Sequence, residues 1–402
     1  MIRRVHVREG LYILPKDKEV GLIDRVPKVL LSAGMIQKGR SGVGRYVVEL
    51  ANRIALIEGI DLHIAGLDED RKLFTKIEDT HWVSIPSTYS SGVKNLFWHQ
   101  WKLPEILKNG NFDVLHIPSY RRIVAFCSVI QIVTIHDCAP FRLRDKYGAL
   151  RGIFGRHLVP WMTRRCDRVL TVSDFTRKDL VQFFKLTEAD VQVVYNGLNH
   201  KLYRQYSKET VNAFRDKQGL DEPFFLFVSR LEHPGKNHVR LIDAYEAFRE
   251  RTGSEHRLVL AGSPWHGAEV IEARVRNSPY AKDIRMPGFV EESDLPLWYS
   301  SADALVFPSL IEGFGLPVVE ALACGLRVAT SDRGSLPEVG GDAAIYFDPE
   351  KPEAIADALV EISSETTSER KKRIEKGLSH AAKFDWDKAA LATCQSYIGF
   401  YP

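Results

Sequence analysis

Cysteine is scarce in this chain of 402 residues, and its spacing shows no pairing. The five cysteines are an odd number, and they are scattered along the sequence. That pattern argues against a disulfide framework and against a structural zinc site, and it favours a reducing compartment. The cysteines are Cys127, Cys138, Cys166, Cys324 and Cys394.

Long apolar segments are also missing. No run approaches the roughly 18 apolar residues that a membrane span requires. The stretch from Met1 to His6 lacks the apolar core of a signal peptide. The apolar share of 45% and the charged share of 27% are ordinary for a soluble globular protein. We therefore expect a cytoplasmic protein with room for two domains.

A large net charge is absent as well, but the two halves of the chain differ. The whole chain carries a formal charge of +3. Residues 1–200 contain 30 Lys and Arg against 21 Asp and Glu, a net charge of +9, whereas residues 201–402 contain the remaining 25 and 31, a net charge of −6. The basic and acidic halves are expected to meet different partners.

Apolar runs that read as buried strands alternate with helical patterns in both halves. This alternation is typical of an α/β fold with parallel sheets. In the first half the predicted strands are 29–33, 62–65, 114–117, 130–135, 169–172 and 191–194. In the second half they are 224–228, 258–261, 304–308 and 327–330.

The most informative segment directly follows the strand predicted at 304–308. It reads Glu312-Gly313-Phe314-Gly315-Leu316-Pro317-Val318-Val319-Glu320. Pro317 can open a helix and Gly325 can close it, so the order is strand, glycine-bearing loop, helix. The glycines let the backbone approach a ligand closely, and the start of a helix suits a phosphate.

The two glutamates of this segment suit a different task. Glu312 lies at the carboxyl end of the strand, where doubly wound folds bind ligands. Glu320 lies about one turn into the helix. Carboxylates accept hydrogen bonds from sugar hydroxyls but repel phosphates. One phosphate site flanked by two such carboxylates predicts a nucleotide sugar.

Two glutamates separated by seven residues, with Gly-Phe-Gly-Leu-Pro between them, closely resemble the motif of the retaining glycosyltransferases of family four. That family has the GT-B fold, an α/β architecture of two Rossmann-like domains whose parallel sheets face a central cleft. The resemblance implies that Glu312 contacts the transferred sugar and that Glu320 binds the ribose hydroxyls. A strand–helix joint with two surface carboxylates is the alternative.

The resemblance extends over nearly the whole chain except residues 1–25, which we cannot assign. It implies an N-terminal acceptor-binding Rossmann-like domain at 1–200 and a C-terminal nucleotide-sugar-binding Rossmann-like domain at 201–384. A C-terminal helix at 385–402 is expected to cross back to the first domain. Asn196-Gly197, a turn dipeptide after a strand, marks the boundary.

Arg230 and Lys236 follow the strand at 224–228 and are expected at its carboxyl end. A nucleoside diphosphate gains negative charge as it leaves, so fixed cations stabilise the transition state more than the ground state. The resemblance likewise implies that both hold the donor diphosphate. A solvated basic loop is the alternative.

Gly42 and Gly44 lie in a glycine-rich loop after the first strand, and His136 ends the strand at 130–135. Gly-x-Gly alone is a weak nucleotide signature. The resemblance implies that the loop borders the donor phosphate and that His136 lies near the transferred sugar. A plain strand–helix turn and a structural histidine are the alternatives.

The resemblance also implies that the backbone at Phe289 and Val290 contacts the base. Together with Glu312, Arg230, Lys236 and His136 as catalytic residues, these positions complete a predicted donor site. Its donor-binding members are Gly42, Gly44, Gly313, Phe314, Gly315, Leu316, Glu320, Phe289 and Val290.

Asp68-Glu69-Asp70 imitates the Asp-x-Asp metal motif of the other major glycosyltransferase fold. It lies in a polar loop after the strand at 62–65, so we interpret it as a solvated acidic loop. Cations and a helix dipole already balance the diphosphate, and no metal ion or cofactor is expected.

Basic and aromatic residues crowd one segment of the first half and suggest an acceptor or membrane surface. Such patches bind anionic lipid head groups or a lipid-diphosphate acceptor. No nucleic-acid-binding motif accompanies the charge. A second cluster comprises Trp98, Trp101 and Tyr120-Arg121-Arg122, and solvated arginines with core aromatics are the alternative. The proposed contacts are Arg142, Arg144, Arg151 and Trp161.

The sequence thus predicts a retaining, metal-independent glycosyltransferase that moves a hexose from a nucleotide-diphosphate sugar to a glycan or lipid-linked acceptor. The strings Thr134-Ile135-His136-Asp137 and Lys236-Asn237-His238 resemble those of bacterial polysaccharide-assembly members, and this likeness favours mannose from GDP-mannose. The basic charge of the first half favours a peripheral position at the inner membrane face. A nucleotide-sugar epimerase, a glycan phosphorylase or a non-catalytic sugar- or lipid-binding protein on the same scaffold are the alternatives.

Overall fold

The computed structural model describes the backbone of Tyr12–Ile13 and the residues 26–39, 41–142 and 154–399. The chain forms two compact units. The first comprises residues 1–197 and 385–402, and the second comprises residues 198–384. The boundaries drawn from the sequence lie at 200/201 and 384/385.

The first unit is built on a parallel sheet of seven strands in the order β5-β4-β2-β6-β7-β8-β9. Its members are β2 (Lys28–Ser32), β4 (Asp61–Leu67), β5 (Trp82–Ile85), β6 (Val114–Ile117), β7 (Ile130–Ile135), β8 (Arg168–Thr171) and β9 (Val191–Val193). Two further short strands, β1 (Tyr12–Ile13) and β3 (Ile57–Glu58), pair with each other in parallel. The central strands are buried on both faces, which explains their continuous apolar runs.

Helices connect these strands, as parallel pairing requires. The first, Gly42–Ile54, begins at Ser41, whose hydroxyl accepts the backbone N–H of Gly44 at 3.0 Å. The other described α-helices before the domain boundary are Gly92–Phe97, Leu103–Asn109, Ala139–Arg142, Val159–Thr163 and Asp174–Phe184.

The last helix of the chain, Trp386–Ile398, belongs to the first unit and packs against the helix Gly42–Ile54. The Tyr397 hydroxyl lies 2.7 Å from Nδ1 of the buried His116. At Gly197 an added Cβ would lie 2.1 Å from the backbone nitrogen of Trp386. Glycine is therefore required there for close packing against the start of this helix.

The second unit contains a parallel sheet of six strands in the order β12-β11-β10-β13-β14-β15. This is the strand order of a doubly wound nucleotide-binding fold. Its strands are β10 (Phe224–Val228), β11 (Arg257–Ala261), β12 (Ile284–Gly288), β13 (Ala304–Phe307), β14 (Arg327–Ser331) and β15 (Ile345–Phe347).

Eight α-helices accompany this sheet among the residues described. The helix Thr367–Ala381 begins with a capping box in which Thr366 and Glu369 bond each other's backbone N–H. The others are Lys208–Gln218, His238–Thr252, Ala268–Arg276, Leu295–Ser301, Leu316–Ala323, Leu336–Gly340 and Pro352–Ser364.

The prediction of two α/β units with parallel sheets is confirmed. All ten predicted strands are present within two residues of their expected ends. Five described strands were not predicted. β5, β12 and β15 are each outermost at one side of a sheet, and β1 and β3 form the separate two-stranded pair. All five cysteines carry free thiols. Across the described ranges, no helix combines the length and apolarity that crossing a bilayer demands.

Candidate active site

Two loops of the second unit leave neighbouring strands at the point where the strand order reverses. One follows β10 and carries Arg230 and Lys236, and the other follows β13 and carries Glu312. Because β10 and β13 are parallel and adjacent, both loops emerge at the same edge of the sheet. Ligands of doubly wound sheets bind in the crevice at this switch point.

Lys236 and Glu312 meet there. The Lys236 Nζ donates a hydrogen bond to Glu312 Oε1 at 2.5 Å. Their side chains are 20% and 16% exposed, so the pair is sheltered yet reachable from solvent. Lys236 and Glu312 are 76 residues apart in the sequence. The structure thus brings together a cation and a carboxylate that were both predicted to belong to one site.

Backbone contacts hold the two loops against each other. Asn237 is almost completely buried and adopts a left-handed conformation with φ of 67°. Its side-chain amide donates to the carbonyl oxygens of Pro308 at 3.0 Å and Pro349 at 2.7 Å. The backbone N–H of Leu310 donates to the carbonyl of Gly235 at 3.0 Å. The loop after β10 is therefore fixed to the loop after β13.

The loop after β14 supports Glu312 from the other side. The buried Ser335 hydroxyl lies 2.7 Å from the carbonyl oxygen of Phe314 and 3.1 Å from that of Glu312. At Gly334, where φ is 66°, an added Cβ would lie 2.9 Å from the Glu312 carbonyl oxygen. A side chain at that position would displace the backbone that carries the Glu312 carboxylate.

The predicted strand–loop–helix order is present after β13. Gly315, with φ of 107°, is the N-cap residue of the helix Leu316–Ala323. Gly325 follows the end of this helix in a left-handed conformation. Phe314 points inward and packs edge-on against Phe384, with ring centroids 5.6 Å apart. Any contact of Phe314 with a ligand would therefore come from its backbone.

Glu320 is only 2% exposed and lies in the interior of the second unit. Its Oε2 accepts a hydrogen bond of 2.7 Å from the hydroxyl of the buried Tyr299. Burial and the neighbouring Glu320 raise the pKa of Tyr299 well above its usual value, so Tyr299 stays a donor. The role of Glu320 as a ribose ligand stays a prediction.

Arg230 does not contact Glu312. Its guanidinium lies 3.5 Å from the carboxylate of Glu232 and 4.7 Å from the centroid of the Trp265 ring. Stacking on an aromatic face holds the guanidinium flat while leaving its edge open. With its side chain 46% exposed, Arg230 can reach an anion outside the sheet edge.

Phe289 and Val290 follow β12, which ends at the same edge of the sheet. Phe289 is exposed and Val290 is partly exposed. Gly288, with φ of 79°, turns the chain just before them. Their expected backbone contact with a base stays a prediction.

Four residues of this region were not predicted from the sequence. Asn237, Ser335 and Tyr299 hold the site by hydrogen bonds that span long stretches of chain, and no short motif encodes them. His238 is the fourth. Its ring is buried beside Lys236, and burial first, then the Lys236 charge, lowers its pKa to about 3, so it is neutral at neutral pH.

In the first unit, Gly42 and Gly44 play different parts. An added Cβ at Gly44 would lie 2.3 Å from the carbonyl oxygen of Ile36, so Gly44 is needed for packing at the strand–helix joint. Gly42 is exposed and has no atom within 4 Å of an added Cβ. Of the two glycines, Gly42 leaves room for a ligand.

His136 follows β7 and is partly buried. Its Nε2–H donates to the carbonyl of Pro118 at 3.2 Å, and its ring lies edge-on to Tyr46 with centroids 4.7 Å apart. Burial lowers its pKa to about 4. A neutral imidazole is therefore expected at neutral pH, which suits a hydrogen bond to a sugar hydroxyl but not proton donation as an imidazolium.

A buried polar network lies behind His136. The Thr134 hydroxyl is 3.1 Å from the Tyr46 hydroxyl and 2.8 Å from Nε2 of His116. His116 in turn contacts Tyr397 of the last helix. Burial, with a smaller effect of His136, lowers the pKa of His116 to about 3. This network links the C-terminal helix to the packing of His136.

The predicted acceptor and membrane residues fall in different settings. Arg142 forms two hydrogen bonds, of 3.0 and 2.9 Å, from its Nε to the fully buried carboxylate of Asp179. Its charge is thus engaged inside the unit. Trp161 is exposed, with the Arg165 guanidinium 5.0 Å from its ring centroid. Arg144 and Arg151 lie outside the described residues.

The second aromatic–basic cluster is divided between core and surface. Trp98 is buried, and the buried Arg122 donates to the side-chain oxygen of Asn95 at 2.8 Å. Trp101 is 64% exposed and stacks on the exposed Phe97, with centroids 4.9 Å apart. The exposed part of this cluster therefore includes Trp101 and the basic Arg121, whose guanidinium lies 5.6 Å from the Tyr120 ring centroid.

The interpretation of Asp68-Glu69-Asp70 as a solvated acidic loop is wrong for Asp70, whereas Asp68 and Glu69 are exposed. Asp70 is buried, and burial raises its pKa. Asp68 accepts hydrogen bonds from the indole N–H of Trp82 at 3.0 Å and the hydroxyl of Ser84 at 2.9 Å. The Asp68 carboxylate thereby joins the segment to β5.

Two protein families match the chain, one over most of the first unit and one over most of the second. Residues 210–380 match the family described as glycosyl transferases group 1, and residues 40–202 match glycosyltransferase family 4. The O-antigen chain mannosyltransferase B of Escherichia coli is 25% identical over 395 residues, which cover 92% of this chain and 99% of that protein.

A second relative is an uncharacterized glycosyltransferase of Methanocaldococcus jannaschii. It is 30% identical over 315 residues, covering 73% of this chain and 76% of that protein. Among solved structures, a glycosyltransferase from Rickettsia africae superposes with a TM-score of 0.74 at 18% identity. That superposition covers 94% of this chain and all of the other.

Proposed function

The chain belongs to glycosyltransferase family 4 and has its GT-B fold, and on that premise we propose that it moves a hexose from a nucleotide-diphosphate sugar to a glycan or lipid-linked glycan. The observation that carries the proposal is the Lys236–Glu312 pair at the switch point of the second unit. The pair places an ammonium that can bind a diphosphate next to a carboxylate that can accept hydrogen bonds from sugar hydroxyls. A donor seated there would place its glycosidic bond between them.

In the proposed reaction the bond between the sugar's anomeric carbon and the diphosphate oxygen breaks. The bonding electrons leave with the diphosphate, and the acceptor hydroxyl oxygen bonds to the anomeric carbon as it loses its proton. Lys236 and Arg230 stabilise the departing charge, together with the backbone and helix start after Glu312. Glu312 orients the sugar by accepting its hydroxyls.

Glu320 is proposed to accept the ribose hydroxyls. An ionised carboxylate offers about four acceptor positions. The bond from Tyr299 fixes one oxygen of Glu320 and so sets the direction of the carboxylate. For this role the ribose must reach the nearly buried Glu320 carboxylate. Calorimetry with free nucleotide on a Glu320→Gln variant tests the proposed contact directly.

The transfer is proposed to retain the anomeric configuration by attack from the same face as the leaving group. The Glu312 carboxylate at the switch point is engaged by Lys236. That arrangement supports a positioning carboxylate rather than a covalent nucleophile. Cationic side chains and the helix start offset the diphosphate charge, so the proposed chemistry requires neither a metal ion nor a cofactor.

Mannose from GDP-mannose is the proposed donor. The support is the relative named O-antigen chain mannosyltransferase B, which aligns over almost its entire length. An O-antigen is a polysaccharide, so the proposed setting is bacterial polysaccharide assembly.

The acceptor is proposed to be presented at the inner face of a membrane. The net charge of +9 in residues 1–200 supports attraction to anionic lipid. The exposed pair Phe97 and Trp101 is flanked by the exposed Lys94 and Lys102. Aromatic rings between lysines suit the boundary between head groups and acyl chains.

A donor screen tests the proposal. Purified protein is heated with GDP-, UDP-, ADP- and dTDP-sugars, and the matching donor should raise the midpoint of unfolding by mass action. The Lys236→Met variant should lose the shift, while Lys201→Met, which changes an exposed lysine of the same unit, should keep it. No shift with any donor would refute a nucleotide-sugar site.

Product analysis then separates the enzyme classes. Nuclear magnetic resonance of the isolated glycan should show the anomeric configuration of the donor. An inverted product would overturn the retaining mechanism. Conversion of the donor without any acceptor would favour the epimerase alternative instead.

A further inference from the structure

Two imidazoles and a carboxylate converge at the edge of the first sheet. Asp61 and His63 are two residues apart on β4, so their side chains lie on the same face. His81 directly precedes Trp82, the partner of Ile64 in β5, and therefore lies opposite His63. Asp61 begins β4, so the cluster lies at the strand's amino end, whereas the loops that hold Gly42 and His136 follow the carboxyl ends of β2 and β7.

The three side chains point their ligating atoms at one another. The Nε2 of His63 is 3.0 Å from Asp61 Oδ1, and the Nε2 of His81 is 3.1 Å from the same oxygen. One nitrogen or oxygen from each residue lies within 4.8 Å of the others. In a tetrahedral zinc site with bonds of about 2.0–2.2 Å, neighbouring ligand atoms lie roughly 3.3 Å apart. The spacing of the cluster approaches that of a zinc site.

The surroundings also orient the imidazoles. The Thr80 hydroxyl lies 3.1 Å from Nδ1 of His81, and the Glu78 carboxylate is 3.9 Å from the same nitrogen. Partners on the far nitrogen of a ligating histidine hold its other nitrogen toward the metal. The ring of His63 is fixed edge-on to Phe112, with centroids 5.2 Å apart.

One charged neighbour of the cluster is a cation. Lys28 is the unfavourable neighbour for a cation, and its ammonium is held over the Phe112 ring at 4.9 Å.

We propose that Asp61, His63 and His81 bind one zinc ion that ties the edge strand β5 to β4. Imidazole nitrogens and a carboxylate oxygen suit zinc, and the site requires none of the cysteines. The side chains are between 12 and 35% exposed, so an ion can enter from solvent and keep a water as its fourth ligand. The ion would stabilise the sheet edge and take no part in sugar transfer.

Zinc titration of the 402-residue chain tests this inference. After dialysis against a chelator and its removal, the protein is titrated with Zn²⁺ in competition with a chromophoric chelator. We expect uptake of one tight equivalent per chain and a higher midpoint of thermal unfolding with zinc than without it. The binding step should be independent of any nucleotide sugar, so its failure leaves the proposed transfer untouched.

Matched variants separate the cluster from chance binding. His81→Gln and Asp61→Asn should each weaken zinc binding by roughly 100-fold or more, given that even partners outside the ligand set change affinity by 10–100-fold. His157→Gln, which changes an exposed histidine of the same unit, should bind as the wild type does. Circular dichroism establishes that each variant is folded.

Two results would overturn the proposal. One is the absence of a tight zinc equivalent in the wild type. The other is equal affinity in the wild type and a folded His81→Gln variant. Either would mean that the two imidazoles simply donate hydrogen bonds to Asp61 and that β5 is held without an ion.

Discussion

Replacing Glu312 by glutamine should lower turnover and tighten the binding of free nucleoside diphosphate. In the structure, Lys236 is engaged by Glu312 at 2.5 Å. A diphosphate must therefore compete with the Glu312 carboxylate for the Lys236 ammonium. Glutamine keeps the shape of the side chain but removes the competing charge, so the ammonium becomes available to the ligand.

The size of the effect follows from the burial of the pair. Both side chains are about one fifth exposed, so the interaction is screened by water and its net worth is about 1 kcal/mol. Releasing Lys236 should then tighten diphosphate binding about fivefold. Turnover should fall roughly 100-fold, the scale of losing one preorganised polar contact to the reacting centre.

Calorimetry on four proteins measures the coupling. The wild type, Glu312→Gln, Lys236→Met and the double variant form a double-mutant cycle for diphosphate binding. Lys236→Met should weaken binding, and the gain from Glu312→Gln should vanish in the double variant because no ammonium remains to be released. None of these substitutions removes Ser335 or the Glu312 carbonyl oxygen to which its hydroxyl donates.

A loss of diphosphate affinity in Glu312→Gln would refute this reasoning. It would mean that the carboxylate itself holds the nucleotide. The reasoning would also fail if Glu312→Gln raised diphosphate affinity by the same factor with and without Lys236. Glu312 would then repel the diphosphate directly, and its contact with Lys236 would not set the affinity.

Three further outcomes concern pH, chelation and lipid. Because the pKa values of His116 and His136 are lowered to about 3 and about 4 by folding, the unfolded chain binds more protons below a pH of about 6.5. The free energy of unfolding should therefore fall as the pH drops from there, which denaturant titrations at several pH values measure. Sugar transfer should survive excess EDTA, and a loss restored by magnesium or manganese would refute metal-independent transfer. Sedimentation should show binding to anionic vesicles that salt weakens and that Trp101→Ala reduces, and equal binding to neutral vesicles would contradict it.

How far the sequence predicts the fold depends on where a strand lies in its sheet. Interior strands such as β7 and β10 are buried on both faces, so their apolar runs mark them within a residue or two. Three of the four outermost strands, β5, β12 and β15, lack that signature, whereas β9 has it. β12 carries an arginine, a proline and a glycine in five residues, and β15 exposes its central tyrosine. These segments become strands because they hydrogen-bond to a neighbouring strand of the sheet, which the local sequence pattern does not reveal.

The site divides in the same manner. Local motifs place Glu312, Arg230 and Lys236 at strand ends, because the strand–loop–helix order is written in consecutive residues. The Asp61–His63–His81 cluster could not be predicted, since His81 lies beside an unpredicted edge strand. Likewise, Asp70 is buried although its neighbours in sequence are polar.

Preorganisation of the site explains why so many buried hydrogen bonds hold the loops after β10 and β13. Asn237 ties the loop after β10 to Pro308, and Ser335 holds the backbone at Glu312 and Phe314. These contacts form when the chain folds, so a donor does not have to order the backbone when it binds. In the proposed mechanism, donor binding moves the Lys236 ammonium from Glu312 to the diphosphate. The same movement would free the Glu312 carboxylate for the sugar, and would thereby couple engagement of the leaving group to orientation of the sugar.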